Sequence, residues 1–446
     1  MKKIIFLSTL CLSLATGATF AQSFGGGRGT ESDPVLISSR AHMEELAMMI
    51  SSGSTYEGYH FKLTADLTGI TTIIGKNEYY PFRGVFDGDG HTIELNINTT
   101  ERHAGVFGYL SGATVKNTKV SGRIITDNYY AGGICGSADN STISNCYNTG
   151  SISSLTPGGI CGYANRTTIS NCYNTGNISS TSNSNSSWAG GICGAGGAIS
   201  NCYNTGSISA PSAGGICGRN GTISNCYNTG KISSSGSSNV YIGGICGWGQ
   251  SSTISNCYNT GSISSSASSY SYVGGICGYS STISNCYNMG NISSDASGMY
   301  SYAGSICGDA RIISNCFAAN ATITTIHSSQ AGRIDGRGYG RITNCHALIS
   351  MKLNGLERRS MNADSKDGAD SEEADFKNRS WLTSSLKWDF GTVWTIGRSG
   401  WPVLKGMDEP AGILSPEMPL PEVVLYPNPA THDVYVRSDR PVSKVE

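Results

Sequence analysis

Charge is what this sequence has least of. Only 14% of its 446 residues are Asp, Glu, Lys or Arg, and the formal net charge is -1. Without a basic stripe there is no electrostatic footprint for nucleic acid or an anionic membrane surface. From Ala131 to Ala310 the charged residues are Asp139, Arg166, Arg219, Lys231, Asp295 and Asp309, with no Glu and no His. Glycoside hydrolysis needs paired carboxylates and acid–base chemistry needs a positioned titratable group, so this stretch is too sparse for a catalytic constellation. The chain also lacks an HExxH helix, a GxSxG elbow, a P-loop and CxxC metal spacing. No metal or cofactor is expected.

Long apolar runs are missing too, except at the start. Lys2 and Lys3, an apolar run from Ile4 to Ala15 and Thr19-Phe20-Ala21 before Gln22 read as an export leader over residues 1–21. No later stretch approaches the roughly 20 apolar residues a membrane helix needs. The expectation is a secreted protein with no membrane span, either attached to the outer membrane at the cell surface or extracellular.

What the sequence has in excess is Gly, at 59 copies, together with Ser, Thr and Asn. That composition suits many short strands joined by tight turns. Aligned with itself, the chain shows seven copies of a Gly/Ser-Ile-Cys-Gly segment at Cys135, Cys161, Cys193, Cys217, Cys246, Cys277 and Cys307. Each is followed by Ile-Ser-Asn-Cys, at Cys146, Cys172, Cys202, Cys226, Cys257, Cys286 and Cys316. The period of 24 to 32 residues is that of stacked solenoid coils. Degenerate copies flank the array, with Phe107 and Thr118 in the two cysteine places of the first and Asp335 and Cys345 in those of the last.

The two cysteines of a copy are 11 or 9 residues apart. A change of two keeps the in/out alternation of a strand, so the unit is strand and turn rather than helix. The reading is an all-β parallel β-helix, or β-solenoid, of about nine coils, with a short N-terminal capping helix and a C-terminal cap. Residues 22–103 are read as the N-terminal cap and lead-in strands, 104–351 as the solenoid, 352–404 as the C-terminal cap, 405–421 as a Pro-rich linker and 422–446 as a separate tail.

Within the unit, Ile143 and its six successors are expected to form a core column, and Asn145 and its successors an amide ladder. Tyr147, Tyr173, Tyr203, Tyr227, Tyr258 and Tyr287 read as a packing column. The cysteines admit two readings: a disulfide inside each coil, or two columns of buried free thiols acting as small hydrophobes. Cys345 would be the odd thiol. Asp87 and Asp89 read as turn residues rather than calcium ligands.

The segment between Ser-Ile-Ser-Ser and the next Gly-Gly varies in length. It carries Trp188, Tyr241, Tyr270, Tyr272, Tyr300 and Tyr302. Insertions at one point of a repeat collect on one side of a solenoid, often the side that binds. These aromatics are the candidate contact residues, with host protein, glycan or a neighbouring cell surface as partner. The one cluster of acid, base and histidine is Asp335, Arg337, Arg341 and His346. It would serve the alternative, a carbohydrate-active β-helix enzyme.

Two resemblances sharpen this picture. Gly132-Gly133-Ile134-Cys135-Gly136 and its successors, each followed by Ile-x-Asn-Cys-Tyr-Asn-x-Gly, resemble the GLUG motif of bacterial surface proteins over about residues 25–405, with Cys where Val is usual. The resemblance implies an adhesin-like or envelope protein of β-helical form, and no substrate. GLUG repeats also occur in IgA-directed metallopeptidases, whose HExxH helix this chain lacks. Tyr426-Pro427-Asn428-Pro429-Ala430 and Asp433-Val434-Tyr435-Val436-Arg437 resemble the start of the sorting domain of the Bacteroidetes type IX secretion system. That implies the secretion machinery as a partner through the tail and attachment at, or release from, the cell surface. The sequence reaches Glu446 before the further strands of such a domain, so a truncated one is expected.

Overall fold

Parallel pairing, coil on coil, organises the whole chain. The computed structural model describes residues 23–182, 186–236, 239–266, 270–295, 301–326, 330–407, 424–426 and 435–437. The leader, Tyr300, most of the 405–421 linker and most of the 422–446 tail lie outside them. A representative coil runs through Cys135–Asp139 and Thr142–Ser144, turns into Tyr147–Asn148 and Ser151–Ser154, and returns through Thr156–Gly158 to Cys161. These segments stack on their equivalents to form three parallel sheets around one core.

The core column is longer than the repeats suggest. Val35, Phe61, Phe86, Val115, Ile143, Ile169, Ile199, Ile223, Ile254, Ile283, Ile313 and Ile342 pair in unbroken register. The solenoid therefore has about eleven turns rather than nine. At about 4.8 Å per coil the rod is roughly 53 Å long. The lead-in segments are coils themselves, because a column asks only for an inward apolar side chain. The 11- and 9-residue spacings coexist as expected. Two extra residues bulge out between Ala164 and Thr168, and Ile169 still meets Ile199.

Helix α1 (Arg40–Ser51) covers the N-terminal end. The Ser39 hydroxyl caps it by accepting from the His42 N–H, and it buries Met43, Leu46, Ala47 and Ile50 against the first coils. At the other end, Lys366 O accepts from the N–H groups of Ile334 and Asp335. The fully buried Arg333 guanidinium meets the Asp370 carboxylate at 2.7 Å and the Gly368 carbonyl at 3.2 Å. Asp87 pairs with Lys116 and Asp89 with Lys62, at 3.3 and 2.9 Å, which suits turn residues.

One expectation about the columns needs correction. The Asn145 column has φ near +52°, the left-handed region that Asn tolerates, so its main work is turning the corner. Its amides bond between coils at Asn117–Asn145, Asn225–Asn256, Asn256–Asn285 and Asn315–Asn344, at 2.8–3.2 Å, on a partly exposed edge. The continuous ladder is the second Asn of Asn-Cys-Tyr-Asn. Asn148, Asn174, Asn204, Asn228, Asn259 and Asn288 are buried, and each of the first five donates to the side-chain oxygen of the next at 2.7–2.8 Å. The same Nδ2 also donates to the carbonyl two residues on. The second Gly of each Gly-Gly makes room: a Cβ on Gly159 would stand 2.7 Å from the Asn174 amide. Ala318 takes the next rung, and there the Ser305 hydroxyl bridges Asn288 to Asn320.

The cysteines are not bridged within coils. All fourteen disulfide candidates, and Cys345, are buried free thiols. In-register stacking sets each opposite the same cysteine of the next coil: Cys135 Sγ lies 3.4 Å from Cys161 Sγ, and the Cys146 N–H meets Cys172 Sγ at 3.4 Å. Burial raises the Cys146, Cys161 and Cys193 thiols well above their ordinary range, which keeps them protonated and inert.

The tyrosine column packs as expected. Ring centroids from Tyr147 to Tyr287 follow at 4.0–5.0 Å with planes within 22°, and Phe317 continues at 4.7 Å. The tryptophan-rich C-terminal segment lies along this column as a flank layer. Helices α2 (Glu373–Phe376) and α3 (Arg379–Ser384) lead into the hairpin of Trp394–Ile396 and Pro402–Leu404. The Trp388 Nε1–H donates to Asn315 O at 2.8 Å and the Tyr287 hydroxyl to Pro402 O at 2.6 Å.

Two outcomes test this account. Asn228→Ala strips one ladder rung and leaves buried groups unpaired, so thermal unfolding should show a loss of about 2–4 kcal/mol. Asn225→Gly, at a left-handed corner that Gly accepts, should cost less than about 1 kcal/mol. Alkylation under denaturing, non-reducing conditions, read by intact mass, should label all fifteen cysteines from Cys135 onward. Labelling of Cys345 alone would restore the within-coil bridges.

Candidate functional site

The outward positions of the repeat form two adjacent lanes along the rod. The first lane comes from strands that end in Gly-Gly and holds, in register, His103, Tyr130, Thr156, Trp188, Ser212, Tyr241, Tyr272 and Tyr302. The second is the residue two after the first cysteine place: Tyr109, Ser137, Tyr163, Ala195, Arg219, Trp248, Tyr279 and Asp309. Arg337 follows Asp335 in the same way, and Asp335 bridges to Cys307. Tyr163 is exposed and the other tyrosines and tryptophans of the two lanes are half-buried, whereas Ile134, Cys135 and their successors, and the small lane residues Ser137, Thr156 and Ser212, are buried.

Rings meet across and along the lanes. Trp188 lies 5.4 Å from Trp248 and 6.3 Å from Tyr241, and Tyr241 stacks on Tyr272 at 5.2 Å. Tyr272 touches Tyr302 at 5.4 Å and Tyr279 at 5.9 Å. Tyr130 and Tyr163 form a second group at 5.2 Å. Between the groups, small Thr156 and Ala195 line a recess of about 440 Å³ walled by Tyr130 and Tyr163 on one side and Trp188, Trp248 and Arg219 on the other. Partial burial pushes the Tyr272 hydroxyl up to about 12 and raises those of Tyr130 and Tyr241. At neutral pH all three stay neutral and can donate or accept. Such a surface, ring faces plus hydroxyls, is suited to holding a flat, hydroxyl-rich ligand.

Of the sequence-chosen residues, Trp188, Tyr241, Tyr272 and Tyr302 stand together in the first lane. Tyr270 lies apart at the strand edge, 39% exposed. Tyr300 lies outside the described residues. Trp248, Tyr279, Tyr163, Tyr130 and Arg219 were missed. Four of these could have been found in the sequence: Tyr163, Arg219, Trp248 and Tyr279 occupy the one residue that changes identity inside the otherwise repeated Ile-Cys-Gly-x segment. The candidate contact residues thus stand on strands more than on the variable loops.

The polar cluster at the last coil does not assemble. His346 is on the tyrosine sheet, next to Phe317, with Nδ1 2.9 Å from the Ser371 hydroxyl. Arg341 is exposed on the isoleucine sheet. Arg337 pairs with Asp309 at 2.6 Å. Asp335 is fully buried, accepts from the Gly338 N–H at 2.6 Å and keeps one oxygen without a partner. Burial, with Asp309 nearby, pushes its carboxyl up to about 8.

A parallel β-solenoid with an aromatic outer strip is the class this geometry defines. The chain carries GLUG motifs: the family model "The GLUG motif" matches residues 127–153, 209–233 and 238–264. A presumed Gly-rich membrane protein of Evansella cellulosilytica is 30% identical over 124 residues, which cover 25% of this chain and 14% of that protein. The chain thus aligns with only about a seventh of that relative's length. A crystal structure of a presumed immunoglobulin A1 protease from Bacteroides ovatus aligns over 86% of this chain and 96% of its own, at 22% identity and a TM-score of 0.40.

The Asp335 carboxyl makes stability depend on pH. In the unfolded chain it ionises near pH 4, whereas the fold keeps its proton to about pH 8. The folded form therefore binds more protons between those values, and stability falls as pH rises through that window, levelling off above it. Thermal melts of Asp335→Asn across that window should lose this slope and exceed the wild type most at the alkaline end.

Proposed function

We propose that this chain is an exported, non-catalytic cell-surface protein that binds glycan through the two-lane aromatic strip, with the stacked coils as a spacer. The observation that carries the reading is the row of half-buried rings interrupted by small residues, which leaves ring faces open at the recess beside Trp188. Sugar rings present apolar C–H faces that stack on aromatics and hydroxyls that bond at the rim. The leader-like start, the sorting-domain resemblance of the tail, the GLUG motifs and the relative named as a membrane protein all support a place at the envelope. The secretion machinery is the partner proposed for the tail. The enzymatic alternative rested on the last-coil cluster, in which His346 lies on a different sheet from Arg341 and Asp335.

The test is a glycan array followed by calorimetry on the chain. Trp188→Ala combined with Trp248→Ala should weaken glycan binding at least about tenfold, a lost ring contact being worth roughly 0.5–1.5 kcal/mol. The far-UV spectrum should be unchanged. Absence of binding to any glycan, or binding untouched by both substitutions, would overturn the reading.

A further inference from the structure

Arg219 is an anomaly in its surroundings. Stacking in register would multiply any charge along the rod, and the repeats avoid charge almost throughout; yet this guanidinium stands in the second lane between two indoles. Its Cζ lies 5.1 Å from the Trp188 ring centre and 4.4 Å from that of Trp248. Those rings hold the guanidinium plane, while its Nε is buried without a hydrogen-bond partner. Among the described residues it forms no ion pair with any carboxylate.

Two recesses meet at this residue. The one of about 440 Å³ described above shares Tyr163, Ala195 and Arg219 with a neighbouring recess of about 650 Å³, which Arg166 also lines. Both volumes fall within the range of small-molecule sites, about 300–1,000 Å³. No Asp or Glu lines either recess. Asp139 borders the larger recess through Asn165 and is engaged by the amides of Asn140 and Asn165 at 2.8 and 2.6 Å. The double recess is therefore positive, free of acids and edged with rings. An arginine whose faces are covered and whose terminal N–H groups have no hydrogen-bond partner among the described residues matches a planar carboxylate in a way that a neutral hydroxyl does not.

We infer that the Arg219 recess is a subsite for an acidic glycan: a carboxylate on the sugar meets the N–H edge of Arg219, Arg166 adds longer-range attraction, and the sugar ring packs against Trp188 or Tyr163. This inference rests on the glycan-binding reading of the strip and adds the charge class of the ligand.

The experiment compares matched probes on the full chain: oligogalacturonate against its methyl ester, and sialyllactose against lactose. The expected result is at least tenfold tighter binding of one acid than of its neutral partner. That preference should be lost in Arg219→Gln, partly kept in Arg219→Lys and weakened by salt. If Arg219→Gln fails to fold, the salt dependence of the wild-type protein decides, since only a charge-paired ligand should weaken as salt rises. Equal binding of acidic and neutral partners would overturn the acidic-sugar inference and leave the glycan reading intact. Binding of none of the four probes, together with an empty glycan array, would overturn both.

Discussion

Every property of this molecule depends on stacking identical positions in register about 4.8 Å apart. A side chain chosen once in the repeat is chosen at every rung, so whatever it does to itself is multiplied. Two unit charges about 4 Å apart repel by about 1 kcal/mol in water and about 4 kcal/mol at an effective dielectric of 20. A charged column is therefore excluded, and the columns that exist are self-compatible. Isoleucine meets isoleucine in the core, Asn148 and its successors pass an amide hydrogen bond from coil to coil, and the tyrosine rings from Tyr147 to Tyr287 stack. The low charge of the sequence is a direct consequence of the fold.

The same constraint explains the cysteines. A thiol is small, apolar and neutral when buried, and its nearest sulfur is the one a rung away. Toward the ends of the rod the demand for repetition relaxes: Phe107 fills the first cysteine place at the N-terminal side, and Asp335 fills it at the last coil. Counting cysteines per repeat made bridging within a coil attractive. In-register stacking makes neighbours of cysteines that are a whole repeat apart in sequence, and that is a property of the sheet rather than of the spacing.

Much of the fold was legible. The period, the strand character of the unit and the isoleucine column are readable in repeated letters, and the capping helix in the single amphipathic run that follows Ser39. Three features were not, each for a physical reason. Phe61, Phe86 and Val115 share no motif with Ile143 yet occupy its column, because the core reads polarity and direction rather than identity. Asn145 recurs in all seven copies and Asn148 in six, and the left-handed backbone at the first and the burial of the second separate corner from ladder. Trp248 and Tyr279 occupy the one letter of Ile-Cys-Gly-x that changes from copy to copy, so no repeat marks them.

The chain carries two aromatic arrays, and the difference between them separates packing from binding. In the tyrosine column every coil from Cys146 to Cys286 supplies a ring, so each ring face is spent on the next ring, and Trp388 and Trp394 cover the later half. Among the described residues, Tyr147, Tyr173 and Tyr203 line a recess of about 390 Å³ there, beside Lys405. In the outer strip the rings are broken by Thr156, Ala195 and Ser212, and at Thr156 and Ala195 the break opens a recess between Tyr130 and Tyr163 on one side and Trp188 and Trp248 on the other. A complete stack is stable because it satisfies itself. An interrupted one keeps unsatisfied surface at a fixed spacing on a rigid rod, which is what recognition of an extended ligand requires.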